Sequence, residues 1–211
     1  MIKAVILDLD GVIVSTDNYH YEAWKLMADG EGIYFDREIN ERLRGVSRMA
    51  SLEIILERAE KQYSEEQKIA LAQAKNDIYK RLISNLTPHD TLPGVRDKLE
   101  ALKARGIKIA IGSSSKNTPI ILDRLGFSGY FDAVSDGNNI SRSKPDPEVF
   151  LKAAQMLGID PSYCLIVEDA DAGIEAGKKA GMKTLAVGGA HGGDYYAASL
   201  GECDICAIAE I

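Results

Sequence analysis

The chain has 211 residues, enough for one core domain with a modest insertion or for two small domains. Its apolar fraction of 45% is that of a folded globular protein, which excludes wholesale disorder. A formal net charge of -7 excludes the basic footprint that general binding to nucleic acid or anionic membranes requires.

Met1 to Leu7 is apolar, but Asp8 and Asp10 interrupt the run too early for a secretory signal. No stretch approaches the apolar length of a membrane span. The expectation is a cytoplasmic protein that binds neither nucleic acid nor membrane and acts as a monomer. Near the C-terminus, Cys203 and Cys206 form a lone C-x-x-C. Without a second pair it reads as two reduced thiols near a terminal strand, ahead of a metal or redox pair.

In chain order, strands are predicted over residues 3–9, 107–112, 132–135, 164–167, 183–187 and 204–207. Most are continuous Val/Ile/Leu/Ala runs, as in strands buried on both faces of a parallel sheet. Helices are predicted between them over 95–105, 119–125, 147–157 and 170–180, closed by Gly106, Gly126, Gly158 and Gly181. Thr118 and Asp146 stand at expected N-caps. This alternation predicts an α/β fold, a Rossmann-like doubly wound parallel sheet. From about 17 to 84 only helical patterns occur, and Ser64 to Gln67 fits a capping box opening a long helix toward Leu82. The division expected is therefore an α/β core of 1–16 and 88–211 with an inserted helical domain of 17–87. The joints lie near 14–16 and 85–93, and the second is rich in turn-forming residues, as an ordered hinge or linker should be.

Four strand ends carry chemistry. Asp8 and Asp10, two apart in an extended chain, leave the first strand on one side, with Gly11 permitting a sharp turn. Ligands of open α/β sheets bind beyond such strand ends. Two carboxylates there repel unless a cation such as Mg²⁺ joins them, or unless both are simply solvated. Glu168 and Asp169 form a second acidic pair, which could complete a magnesium site or cap the next helix. Ser113, Ser114, Ser115, Lys116 and Asn117 lead into a helix and form an anion cradle or an ordinary polar loop. Lys144, stiffened by Pro145, can pair with a phosphate as a point charge.

In that order the four sites resemble the motifs of the haloacid dehalogenase superfamily, which is mostly phosphotransferases. The resemblance implies a HAD-like core whose Asp8 attacks phosphorus and forms an aspartyl phosphate. It implies that Asp10 is general acid and base, and that Ser113 and Lys144 hold the transferring group. It makes Asp8, the main-chain carbonyl of Asp10 and Asp169 ligands of Mg²⁺, with Glu168 a further one. The helical insertion resembles the cap of the superfamily's α-helical-cap branch.

Within the insertion, Thr16, His20 and Trp24 lie four apart, and His20 and Trp24 share a helical face. Such a face is either a core stripe or part of a site. Arg44, Gly45, Val46 and Arg48, followed by Ser51, read as a phosphate grip or a solvated basic turn. Lys75, Asn76 and Asp77 lie on the long helix. The runs D-L-D-G-V-I, G-V-S-R, K-N-D and S-K-N-x-P resemble the superfamily's sugar phosphomutases over nearly the whole chain. That resemblance implies a sugar phosphate and a sugar bisphosphate as partners. It implies that Arg48, Ser115, Lys116 and Asn117 grip the phosphate not being transferred, and that Ser113, Ser114 and Lys144 hold the one that is. His20 and Lys75 would orient Asp10 and the sugar, with Thr16, Trp24, Arg44, Gly45, Val46 and Ser51 completing the substrate contacts. Arg44 in place of Lys and Ser114 in place of Ala are departures from that pattern.

Overall fold

A computed structural model describes residues 1–43 and 47–210. The chain forms β1 (Ala4–Leu7), then four helices in succession: α1 (Asp17–Gly30), α2 (Arg37–Glu41), α3 (Arg48–Leu56) and α4 (Glu65–Ile83). Next come α5 (Val95–Ala104), β2 (Lys108–Gly112), α6 (Thr118–Arg124), β3 (Ala133–Ser135) and α7 (Glu148–Leu157). β4 (Cys164–Glu168), α8 (Asp171–Lys179), β5 (Lys183–Val187), β6 (Tyr195–Ala197) and α9 (Ile205–Glu210) complete it.

The strands build one six-stranded parallel sheet in the order β3-β2-β1-β4-β5-β6. This is a Rossmann-like doubly wound α/β fold. The order reverses between β1 and β4, which makes that point the natural ligand crevice. Alternate strand residues face opposite sides. Ala4, Ile6, Ala110 and Ile166 share a buried cluster with Val149, Phe150, Ala153 and Ala154 of α7 and Ala176 of α8. Val5, Leu7, Ile109 and Ile111 face the other way and are equally buried. Both faces are covered, which is why the strands lack a polar face in sequence.

Two compact units emerge: Met1–Ser15 with Thr87–Ile211, and Thr16–Leu86. Within the helical unit, α1 and α3 pack on α4. Its core joins Trp24, Met27 and Ala28 to Phe35, Ile39, Leu52, Ile55 and Ala72. The Ser64 capping box forms as expected: Gln67 N donates to Ser64 Oγ at 3.3 Å, and Ser64 N to Gln67 Oε1 at 2.8 Å.

Several expectations need correction, among them Asp146, which precedes Pro147, the N-cap of α7. Residues 204–207 are not a strand: Asp204 Oδ1 accepts from Ala207 N at 3.2 Å and caps α9. A short apolar run does not by itself distinguish strand from helix. The last strand is instead Tyr195–Ala197, paired to β5; Cys206 lies within α9 and Cys203 just before it, both buried and in no disulfide. Finally, Asn117 rather than Thr118 stands at the N-cap of α6, because the Thr118 hydroxyl donates to Ser115 O at 2.9 Å.

Candidate active site

Parallel register assembles the site. The last pairs of β1 are Leu7 with Ile111 and Leu7 with Val167. One step further along, Asp8 stands level with Gly112 and Glu168, so Asp8, Ser113 and Asp169 all emerge at the same sheet edge. Gly112 is required for space, since a Cβ there would lie 2.7 Å from the Phe150 ring. Asp8 N donates to Val167 O at 2.9 Å, which extends the ladder through the first acidic residue.

Beyond Asp8 the chain turns sharply. Gly11 has φ +82°, a backbone that side chains resist, and its missing Cβ would fall 2.0 Å from Asp169 Oδ2. The glycine thus makes both the turn and the room for a carboxylate. Asp10 is half-buried in that turn, bridged with Val14. Gly173, inside α8, leaves room for Glu168, whose Oε1 would sit 1.9 Å from an added Cβ.

Lys144 links the carboxylates. Its Nζ donates to Asp8 Oδ1, and to Glu168 Oε1 at 2.5 Å, while standing 4.8 Å from the centre of the Phe150 ring. The Lys144, Asp8 and Glu168 side chains are 10%, 11% and 2% exposed, so little water screens them. Burial works against the ammonium, but Asp8 and Glu168 outweigh it and hold the lysine above its ordinary range. Burial pushes the Glu168 carboxyl up to about 7; Lys144 opposes that rise and Asp8 adds to it. The other Glu168 oxygen accepts from Ala170 N at 2.9 Å, so the side chain is fixed at both ends.

Oxygens of Asp8, Glu168 and Asp169 all lie within 4.8 Å of one another. A donor set made wholly of carboxylate oxygens suits a hard divalent cation, so these residues fit Mg²⁺.

The residue 113–117 loop sits beside them. Ser113 N donates to Ser135 O at 3.0 Å, and Ser115 N to Ser113 Oγ at 3.2 Å. Lys144 N approaches Ser114 Oγ at 3.4 Å, tying the lysine loop to the serine loop through the hydroxyl that departs from the phosphomutase pattern. Asn117 is buried and Lys116 exposed.

In the helical unit a second cluster forms. Lys75, 3% exposed, donates from Nζ to His20 Nδ1 at 2.9 Å and stands 4.7 Å from the Trp24 ring centre and 4.8 Å from that of Tyr79. The His20 ring stacks on Tyr79 with centroids 4.1 Å apart, and the Tyr79 hydroxyl lies 2.9 Å from Thr16 Oγ1. Accepting from an ammonium requires a neutral imidazole. Burial, then the charges of Lys75 and Arg48, hold His20 well below its ordinary value. Trp24 and Ser51 are buried inside this unit, so the core-stripe reading describes Trp24 here. Arg48 occupies the first turn of α3, which Ser47 caps. Arg44, Gly45 and Val46 lie outside the described residues. Sequence reading missed Tyr79, although its place four residues after Lys75 puts both on one helical face. It also missed Phe150 beneath Lys144, for which no local signal exists.

Comparison with known proteins agrees with this geometry. The family model described as haloacid dehalogenase-like hydrolase matches residues 2–181. The β-phosphoglucomutase of Bacillus subtilis is 50% identical over 188 residues, covering 88% of this chain and 83% of that protein. The crystal structure of β-phosphoglucomutase from Clostridium difficile superposes with a TM-score of 0.90 at 40% identity, covering 100% of this chain and 96% of the other. A phosphorylated carbohydrates phosphatase of Thermotoga maritima is 33% identical over 185 residues, 87% of this chain and 83% of that protein. With the strand-end aspartates, serine loop, lysine and acidic pair in their places on a doubly wound sheet, the chain belongs to the haloacid dehalogenase-like hydrolase family.

Proposed function

We infer that the protein is a magnesium-dependent phosphotransferase that interconverts β-glucose 1-phosphate and glucose 6-phosphate, as a β-phosphoglucomutase does. The observation that carries this reading is the meeting of Asp8, Lys144, Glu168 and Asp169 at neighbouring strand ends in a chain half identical to such an enzyme. Asp8, Asp169, the Asp10 carbonyl and Glu168 would hold Mg²⁺. When bound, the ion neutralises charge on the phosphoryl oxygens, so that an anionic nucleophile is not repelled.

The chain's own residues do the rest. The Asp8 carboxylate attacks phosphorus without needing a base and becomes an aspartyl phosphate. Lys144 holds the incoming group by charge, and Glu168 keeps the ammonium aimed. Asp10 takes the proton of the accepting sugar hydroxyl and returns it to the departing one. Phosphoryl passes from the enzyme to the 6-hydroxyl of β-glucose 1-phosphate, giving the 1,6-bisphosphate. After that intermediate turns over, its 1-phosphoryl returns to Asp8 and glucose 6-phosphate leaves. Two grips are needed, because a bisphosphate must bind in both orientations. Ser113, Ser114 and Lys144 serve the reacting phosphate; Ser115, Lys116, Asn117 and Arg48 serve the other. In the helical unit, neutral His20 and Lys75 orient Asp10 and the sugar.

The likeness to the Thermotoga maritima phosphatase supports one competing reading, hydrolysis with the same nucleophile. Incubation with β-glucose 1-phosphate, Mg²⁺ and a trace of the bisphosphate separates them. Glucose 6-phosphate is the expected product. Inorganic phosphate without it would assign a phosphatase.

A further inference from the structure

The turn that follows β3 grips the serine loop from behind. Gly137 N donates to Ser115 O at 3.1 Å, and Asn138 Nδ2 donates to Lys116 O at 3.0 Å. The turn is itself braced: Asn138 N donates to Asp136 Oδ1 at 2.8 Å, and Asp136 N to Asn139 Oδ1 at 3.2 Å. Ser135 and Asp136 are buried. Gly137 is not among the glycines of positive φ, so its backbone suits any residue. Space alone excludes a side chain there: a Cβ would stand 2.5 Å from Ser114 O and 2.8 Å from Lys116 N, both backbone atoms that cannot swing aside.

Carbonyl oxygens carry partial negative charge and repel a phosphate placed near them. Ser115 O is taken up by Gly137 N and the Thr118 hydroxyl, and Lys116 O by Asn138. The negative ends of this loop are thus drawn toward the β3 turn. We propose that Gly137 and Asn138 are positioning residues for the second phosphate grip, fixing the backbone from which Ser115, Lys116 and Asn117 reach the phosphate not being transferred. The inference rests on the reading of that loop as a phosphate grip.

The test compares KM for β-glucose 1,6-bisphosphate with turnover of p-nitrophenyl phosphate, which has a single phosphate, and records the thermal midpoint of each variant. Asn138→Ala should raise the bisphosphate KM about fivefold while aryl phosphate turnover stays within about twofold; Gly137→Ala, whose Cβ meets Ser114 O first, should raise that KM about tenfold or more and lower turnover on both substrates. Asn138→Gln, which keeps the amide donor, should recover part of the loss. If Gly137→Ala fails to fold, Asn138→Ala decides. In Asn138→Ala, equal losses on both substrates or an unchanged bisphosphate KM would overturn the proposal. Lys116→Ala separates the two levels. An unchanged KM in that variant overturns the grip reading and the positioning role with it. A raised KM there beside an unchanged one in Asn138→Ala overturns the positioning role alone.

Discussion

Each compact unit buries a lysine, and the two are held in opposite ways. Lys144 lies between the carboxylates of Asp8 and Glu168, which keep it charged despite burial. Lys75 donates to a histidine nitrogen and stands over two aromatic faces, and its charge helps keep that histidine neutral. The first arrangement stores a positive charge where a phosphoryl group would arrive. The second uses a positive charge to set the protonation of a neighbour. Residue type alone does not reveal which role a buried lysine plays; the groups within a few ångströms decide it.

The sharpest way to break this contrast is at Asp8. Asp8→Asn should lower turnover by about 10³-fold or more, since the amide cannot attack phosphorus, while the fold persists. A coupled glucose 6-phosphate assay beside thermal denaturation checks both halves. Next is Lys144→Met, which leaves two buried carboxylates facing each other. Breaking such a network by removing one partner costs about 3–5 kcal/mol of stability, and turnover should fall about 10²-fold or more. A variant as stable as the parent would deny that the charge cluster is buried in solution.

Effects from the helical unit should be smaller. Arg48→Ala should weaken bisphosphate binding about tenfold, near 1.4 kcal/mol, with far less effect on a small aryl phosphate. Titration calorimetry on both ligands tests this, and matched losses would take Arg48 out of the second grip. The mildest effect concerns His20. Its pKa in the fold lies well below the ordinary 6.5, so the unfolded chain takes up the proton first as pH falls. The stability His20 contributes is therefore present above pH 6.5 and lost as pH falls from there through the folded value. His20→Gln should flatten this acid-side decline in thermal midpoint. Parallel curves for parent and variant would remove the neutral imidazole from the account.

Legibility in sequence followed the range of the interactions involved. Each helix before a glycine stop, the Ser64 capping box and the strand at Asp8 depend on neighbours within a few residues, and all could be read locally. The terminal region could not. Residues 204–207, expected as a strand, lead into α9, and the strand forms instead at 195–197, where none was expected, because pairing with β5, not local composition, selects it. Of the site residues, Asp8, Asp10, Ser113, Glu168 and Asp169 stood out as polar residues at the ends of apolar runs, and Lys144 as the lysine before Pro145. Tyr79, Phe150 and the Gly137–Asn138 clamp did not, since their importance comes from partners far along the chain.

The alternation of buried strands and helices, the helical insertion, and the polar residues that follow strands are written into the chain as periodicity and short-range turn chemistry, so they could be read without coordinates. Tertiary structure alone decided that Lys144 meets Asp8 and Glu168, that His20 is neutral beside Lys75, and that the β3 turn holds the serine loop. Those outcomes depend on parallel register and on burial, which bring together residues far apart in the chain and set the dielectric in which their charges act.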